Sequence, residues 1–222
     1  MIFTPETVKP QLARLLQEYP ELRVTCENQK LIKLYGSVLV HRTANDVTIH
    51  KLYELEIVIP LYSDELPYVI DINKLIKTNY PHRYSDGRLC LATDTEIRIR
   101  FLEGFDLLTW MLDYVEVYYF SYEYFQRYGV FPFGDRSHGC RGIIQTYQDS
   151  FKTENEYAAY KIMKHIVQHP YRGHHMCPCG SGDKIRDCHG PLMRRFYDDH
   201  RLARILAADL QICDSEKRSQ IK

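Results

Sequence analysis

The segment Cys177-Pro178-Cys179-Gly180-Ser181-Gly182, followed after five residues by Cys188-His189-Gly190, offers three thiols and one imidazole within a short span. Zinc favours thiolate and imidazole, and structural zinc sites are tetrahedral with every position filled by protein. Cys177, Cys179, Cys188 and His189 therefore make a complete ligand set for one structural zinc ion. The glycines between them let the backbone turn tightly around a metal. A module this small has no core of its own, so the ion would supply its stability. Loss of one ligand is expected to release the ion and unfold this tail alone. A second reactive thiol stands at Cys90, just after the turn signal Asp86-Gly87. Alternation along Leu89-Cys90-Leu91 sets the thiol opposite the leucines, so leucines facing a core leave it facing outward. His82, Arg83 and Arg88 are near in sequence and would favour the thiolate, the nucleophilic form. The competing reading is a small buried hydrophobe, a common fate of free cysteine.

The stretch from Met176 to Gly190 resembles the SEC-C motif, a zinc-binding tail that serves as a docking module in the protein-export motor SecA and in many other bacterial proteins. Arg172, His174, His175, Lys184, Arg186, Arg194 and Arg195 surround it. They are either a surface for an acidic partner or simply a solvated face.

The stretch from Tyr80 to Leu91 resembles the active-site region of ubiquitin-conjugating enzymes. That family carries His-Pro-Asn, a loop with Asp/Asn-Gly, and then Cys-Leu. Tyr80-Pro81-His82 stands where His-Pro-Asn is expected, and Cys90 stands at the catalytic cysteine. The resemblance covers about residues 1–150, mostly in pattern. It includes an N-terminal helix, a strand meander, the proline-bearing Leu66-Pro67-Tyr68 and a helix led by Trp110. It implies that Cys90 carries an acyl group as a thioester. His82 replaces the family's asparagine, and an imidazole can hydrogen-bond an oxyanion or move a proton. Pro132-Phe133-Gly134-Asp135-Arg136-Ser137-His138-Gly139 resembles a segment of bacterial relatives encoded in antiphage operons, including cyclic-oligonucleotide-based signalling systems (CBASS). His138 in this glycine-flanked loop is a further candidate beside Cys90, or else a histidine that holds the loop.

The resemblance implies a cytoplasmic transferase acting in antiviral defence. Its partners would be a ubiquitin-like protein or a cGAS-like nucleotidyltransferase. The chain has no Gly-x-Gly-x-x-Gly or Gly-Lys-Ser/Thr loop to cradle phosphates, so an adenylating enzyme or another acyl activator is implied. The alternative is a catalytically inactive binding module of the same fold, docking through the zinc tail.

The elements that must position these groups are legible in outline. Val8, Leu12, Leu15 and Leu16 recur at helical spacing over 5–19, and Pro20 ends that pattern. Residues 31–41 read as a strand, Thr43-Ala44-Asn45-Asp46 as a hairpin turn, and 48–60 as a half-buried strand. In the last, Tyr53, Leu55, Ile57 and Ile59 share one face and Glu54 and Glu56 the other. Residues 66–70 read as a short edge strand because of Pro67. A long helix is expected over 106–128, too rich in aromatic residues for a single stripe, followed by a glycine-bearing loop through Gly142. Thr153 and Glu156 suggest a capping box opening the next helix, and a last helix is expected over 191–211. The order predicts an α+β fold: an antiparallel meander flanked by helices over 1–169, with a zinc-bound tail and terminal helix over 170–222.

Composition narrows the functional classes. Lysine plus arginine and aspartate plus glutamate both number 29, and this zero net charge argues against a protein that coats nucleic acid. Asp113, Glu116, Glu123 and Arg127 interrupt the most aromatic stretch, which argues against a membrane span. The N-terminus shows no secretory signal pattern. Seven cysteines, with Cys26, Cys140 and Cys213 outside any motif, fit a reducing compartment rather than a disulfide framework.

Overall fold

The computed structural model describes the backbone of residues 1–220 and the side chains of residues 1–216. The protein is α+β, with four antiparallel strands in the order β1-β2-β3-β4. These are β1 (Arg23–Glu27), β2 (Leu31–Ala44), β3 (Val47–Pro60) and β4 (Tyr68–Ile70). The chain forms two compact units. One comprises residues 1–92 and 103–135, and the other comprises residues 93–102 and 136–222.

The first unit holds the sheet, α1 (Pro5–Glu18) and the helical stretch formed by α3 (Leu107–Trp110) and α4 (Glu116–Tyr128). Helix α1 starts at Thr4, with Pro5 at its first turn, and buries Val8, Leu12 and Leu15. Strands β2 and β3 pair without a break from Leu31↔Pro60 to Ala44↔Val47. Asn45 and Asp46 turn the hairpin with φ of 48° and 60°. Two consecutive positive φ values match the right-handed twist of the flanking strands. Ile32, Leu34, Val38 and Val40 of β2 and Ile49, Tyr53, Leu55, Ile57 and Ile59 of β3 are buried. This is the alternation expected for a half-buried strand.

Gly36 occupies an inward position of β2 with φ of 153°, and a Cβ there would lie 2.1 Å from the Glu21 carbonyl oxygen. Gly36→Ala is therefore expected to destabilise the first unit by about 2–4 kcal/mol, from strain and overpacking together. A fall in the denaturation midpoint at constant slope would measure it.

The expected long helix is interrupted, with a π-helical segment at Met111–Val115 between α3 and α4. Asp106 caps its start by accepting from the Thr109 amide at 2.8 Å, and Gly129 ends it with φ of 71°. Trp110, Met111, Val115, Tyr119 and Phe120 are fully buried, and Tyr53 stacks on Tyr119 with ring centroids 4.0 Å apart.

The second unit contains α2 (Asp94–Arg100), α5 (Gly139–Phe151), α6 (Glu156–Gln168), α7 (Gly190–Asp198) and α8 (His200–Gln220). Their shared core includes Ile143, Tyr147, Phe151, Ile162, Met163, Met193, Phe196 and Leu206. Inside this core, the Tyr147 hydroxyl donates to the Asp209 carboxylate at 2.8 Å. Burial raises Asp209 above its ordinary range, partly offset by the hydrogen bonds from Tyr147 and Thr95.

Three expectations change here. The glycine-bearing loop is partly helix α5, because Gly142 serves close packing: a Cβ there would lie 2.0 Å from the Ser137 carbonyl oxygen. Asn155, rather than Thr153, caps α6 by accepting from the Ala158 amide at 3.0 Å. The last helix divides at Asp199, whose carboxylate accepts from the Arg201 amide at 2.8 Å at the start of α8. Residues on both sides of 169/170 belong to this unit, in which the cysteine-rich turn shares the core of α5, α6 and α8. Among the described residues, no helix is long and apolar enough to cross a membrane.

Candidate active site and metal centre

The Cys90 site is built on the edge of the sheet. Beyond β4 the chain makes an irregular loop, anchored where buried Asp71 accepts from the amides of Leu75 and Ile76 at 3.1 and 2.8 Å. Tyr80 is buried against the rings of Tyr118, Tyr122, Phe125 and Phe131. A tight turn follows, in which Tyr84 donates its amide to the Arg88 carbonyl at 2.9 Å and Gly87 takes φ of 91°. The Leu89 amide donates to the Val69 carbonyl at 2.9 Å and joins this turn to β4. Leu89 is buried and Cys90 is half-buried, so the alternation read from the sequence places the thiol away from the core.

Across the turn, the Cys90 amide donates to the His82 carbonyl at 2.9 Å, which sets the two residues side by side. The same carbonyl accepts from the Tyr118 hydroxyl at 3.0 Å. Burial pushes the Tyr118 hydroxyl well above the ordinary phenol range, so it stays a neutral donor. A ring nitrogen of His82 lies within 4.8 Å of the Cys90 sulfur. Nε2 of His82 is 3.0 Å from Oδ1 of Asp135, and the ring edge packs on Phe131 at 5.1 Å. The Tyr84 hydroxyl lies 3.5 Å from the sulfur. The imidazole is thus fixed by a carboxylate and an aromatic ring beside an accessible thiol. An oriented histidine next to a cysteine can assist proton movement or hydrogen-bond an oxyanion.

The two arginines expected to favour the thiolate are engaged elsewhere. Arg83 turns onto buried Asp71 at 4.0 Å, and Arg88 pairs with Asp86 at 2.7 Å and lies over the Tyr68 and Tyr84 rings. His138 belongs to the second unit, where it is exposed and sits at the N-cap of α5. Asp135 and Tyr118 are the residues that sequence reasoning left without a role. Asp135 lay within the quoted Pro132–Gly139 stretch, yet 53 residues separate it from His82, and no local pattern signals that pairing.

In the second unit, the ligand atoms of Cys177, Cys179, Cys188 and His189 lie within 4.8 Å of one another and could hold a metal ion. The Cys179 and Cys188 sulfurs are 3.7 Å apart, and His189 Nδ1 is 3.4 Å from the Cys177 sulfur and 3.1 Å from that of Cys188. Tetrahedral ligation at Zn–S of about 2.3 Å requires sulfurs about 3.8 Å apart, so the donor set fits such an ion.

The local sequence makes this geometry. The Cys177 amide donates to the Asp183 carbonyl at 2.8 Å, and Met176 bridges to Lys184. Gly180 and Gly182 take φ of 90° and 88° inside the turn. The Ser181 amide points at the Cys179 sulfur at 3.4 Å. The His189 carbonyl then accepts from the Met193 amide at 2.9 Å, so the last of the four clustered residues is also the start of α7. Burial lowers the His189 imidazole and favours its neutral, ligating form. The seven basic residues around the turn, Arg172, His174, His175, Lys184, Arg186, Arg194 and Arg195, are all exposed. Arg186 and Arg194 pair with Asp187 and Asp198.

No protein-family model, no curated protein and no solved structure matches this chain.

Proposed function

We propose that this protein is a ubiquitin-conjugating-like transferase that carries an activated protein C-terminus as a thioester on Cys90. The observation that supports this reading best is the half-buried thiol set beside His82, whose ring is in turn held by Asp135. In the first step the Cys90 thiolate attacks the carbonyl carbon of an activated acyl group. A C–S bond forms, and the activating group departs as AMP from an acyl adenylate or as the thiol of a donor thioester. In the second step an amine of the target attacks the same carbonyl carbon. An amide forms, the amine proton passes to solvent or a base, and the Cys90 sulfur leaves as thiolate. With Nε2–H of His82 donating to Asp135, the other ring nitrogen donates to the oxyanion in both steps from the protonated ring.

On this reading an adenylating enzyme or another acyl activator acts upstream. By resemblance, the conjugated protein is a ubiquitin-like protein or a cGAS-like nucleotidyltransferase in a bacterial antiphage system. Cys177, Cys179, Cys188 and His189 would hold one zinc ion with all four positions closed, so its contribution is a structural cross-link. The basic residues around that turn would face an acidic patch on a partner.

Intact mass spectrometry of the protein co-expressed with its operon neighbours tests the reading. The wild type is expected to carry a protein adduct that a thiol reductant removes. Cys90→Ser is expected to carry either no adduct or one that resists reductant, since an oxygen ester does not exchange with thiols. An adduct of unchanged reductant sensitivity on Cys90→Ser would place the chemistry on another residue. No adduct on either protein would favour the inactive binding module.

A further inference from the structure

A second cluster of metal-binding side chains lies far along the sheet, on the paired strands β2 and β3. His41 and His50 are direct cross-strand partners in an unbroken ladder, and both are exposed. Their Nδ1 atoms are 2.9 Å apart, with the rings 5.0 Å apart at 75°. Two neutral imidazoles can share one proton at that distance. The same two nitrogens are also close enough to ligate one ion together once the shared proton is displaced. For metal–nitrogen bonds of about 2.0–2.1 Å, ligands at a right angle are separated by about 2.9 Å, and tetrahedral ligands by about 3.4 Å. The observed separation matches the right-angle case, the geometry of tetragonal Cu(II) and Ni(II) rather than of zinc.

The neighbouring rungs frame the pair. On the same face of the sheet, Leu39 and Leu52 form the next pair on one side, and the Thr43 and Thr48 hydroxyls, 2.8 Å apart, form the next pair on the other. The hairpin turn at Asn45-Asp46 fixes the register, so the two imidazoles are held facing each other before any ion arrives.

We propose that His41 and His50 form a two-imidazole site for a divalent ion of tetragonal preference, with water completing its coordination. This site is independent of the sulfur-rich turn and of the chemistry at Cys90. Binding would tie β2 to β3 near the hairpin end and stabilise the first unit by mass action.

Ni(II) is the suitable probe, because thiols do not reduce it. The full-length protein, first given one equivalent of zinc to occupy the sulfur site, is titrated with Ni(II). Amide NMR reports where the paramagnetic ion sits, and thermal melting reports stability. Wild type is expected to lose the amide signals of residues 40–43 and 48–51 selectively and to melt at a higher temperature. His50→Gln and His41→Gln each leave a single imidazole, and each is expected to weaken Ni(II) binding at least tenfold and abolish the melting shift. Both positions are exposed, so these variants should keep the fold, and their unchanged amide spectra without Ni(II) would verify that. Equal affinity in His50→Gln, or broadening centred on His174 and His175, would overturn the assignment.

Discussion

Cys177→Ser is expected to melt the whole second unit, beyond the cysteine-rich turn itself. Cys177 is one of four clustered residues that could hold a metal ion, and it is also 5 % exposed within the core that holds Tyr147, Phe151, Met163 and Phe196. Ile185 and Met193, on either side of the last two ligands, are fully buried in that same core. His189 further supplies the carbonyl that starts α7. Loss of the ion therefore removes a wall of the core as well as a cross-link. Structural zinc contributes roughly 10–16 kcal/mol of apparent binding energy in small zinc peptides. That is comparable to the roughly 5–15 kcal/mol by which a whole domain is stable. Metal content and hydrogen exchange read the outcome together. Zinc should fall from one equivalent to none, and amides of α5, α6 and α8 should lose protection along with residues 173–189. Loss of protection confined to 173–189 would show instead that the turn melts as an independent module. Retention of one equivalent of zinc would refute the ligand assignment.

His82→Ala is expected to slow thioester formation on Cys90 by about 10²–10³-fold, the effect of removing one positioned donor from an oxyanion. Asp135→Asn keeps the size of the carboxylate but removes its charge, and about tenfold slowing is expected through poorer orientation of the ring. His82→Asn is the informative third variant, since an amide can donate to an oxyanion without titrating. If hydrogen-bond donation is the role of His82, this variant should recover much of the lost rate. If proton transfer is the role, it should behave like His82→Ala. Single-turnover charging followed by non-reducing gels measures all three. Wild-type rates in His82→Ala would remove the imidazole from the mechanism. The circular dichroism spectrum should stay unchanged, because the His82 carbonyl, the part that bonds Cys90 and Tyr118, survives every substitution.

Where residues met their partners locally, the sequence was a good guide. The β2–β3 hairpin was legible because alternation and the Asn45-Asp46 turn are both short-range signals. The clustering of Cys177, Cys179, Cys188 and His189 was legible because it rests on short spacing along the chain. Helix α5 was misread because its glycines carry a packing signal that looks like a loop signal until Ser137 is seen against Gly142. Strand β1 passed unnoticed because Arg23 to Glu27 buries no residue fully and so lacks alternation. Helix α2 was missed because seven residues are too few for helical periodicity to stand out. At the Cys90 site the cysteine and the histidine that lies beside it were both singled out in the sequence. The cations near them in sequence proved to serve Asp71 and Asp86, and the carboxylate on the histidine comes from a distant loop. Side-chain direction decides such pairings, and proximity along the chain does not encode it.

The interleaving of the two units has a consequence for biosynthesis. The chain completes β4 and the Cys90 turn, sends residues 93–102 into the second unit, and returns to the first for residues 103–135. A ribosome that has just added Asp135 has therefore supplied every part of the first unit, but α2 is still without α5 and α8. At roughly 5–20 residues per second, the remaining residues to α8 take about 4–16 seconds to emerge. Throughout that interval Ile99 and Leu102, which end up packed against the second unit's core, lack the helices that form it. The nascent protein thus passes through a stage in which every residue of the first unit has been made while Ile99 and Leu102 still await α5 and α8.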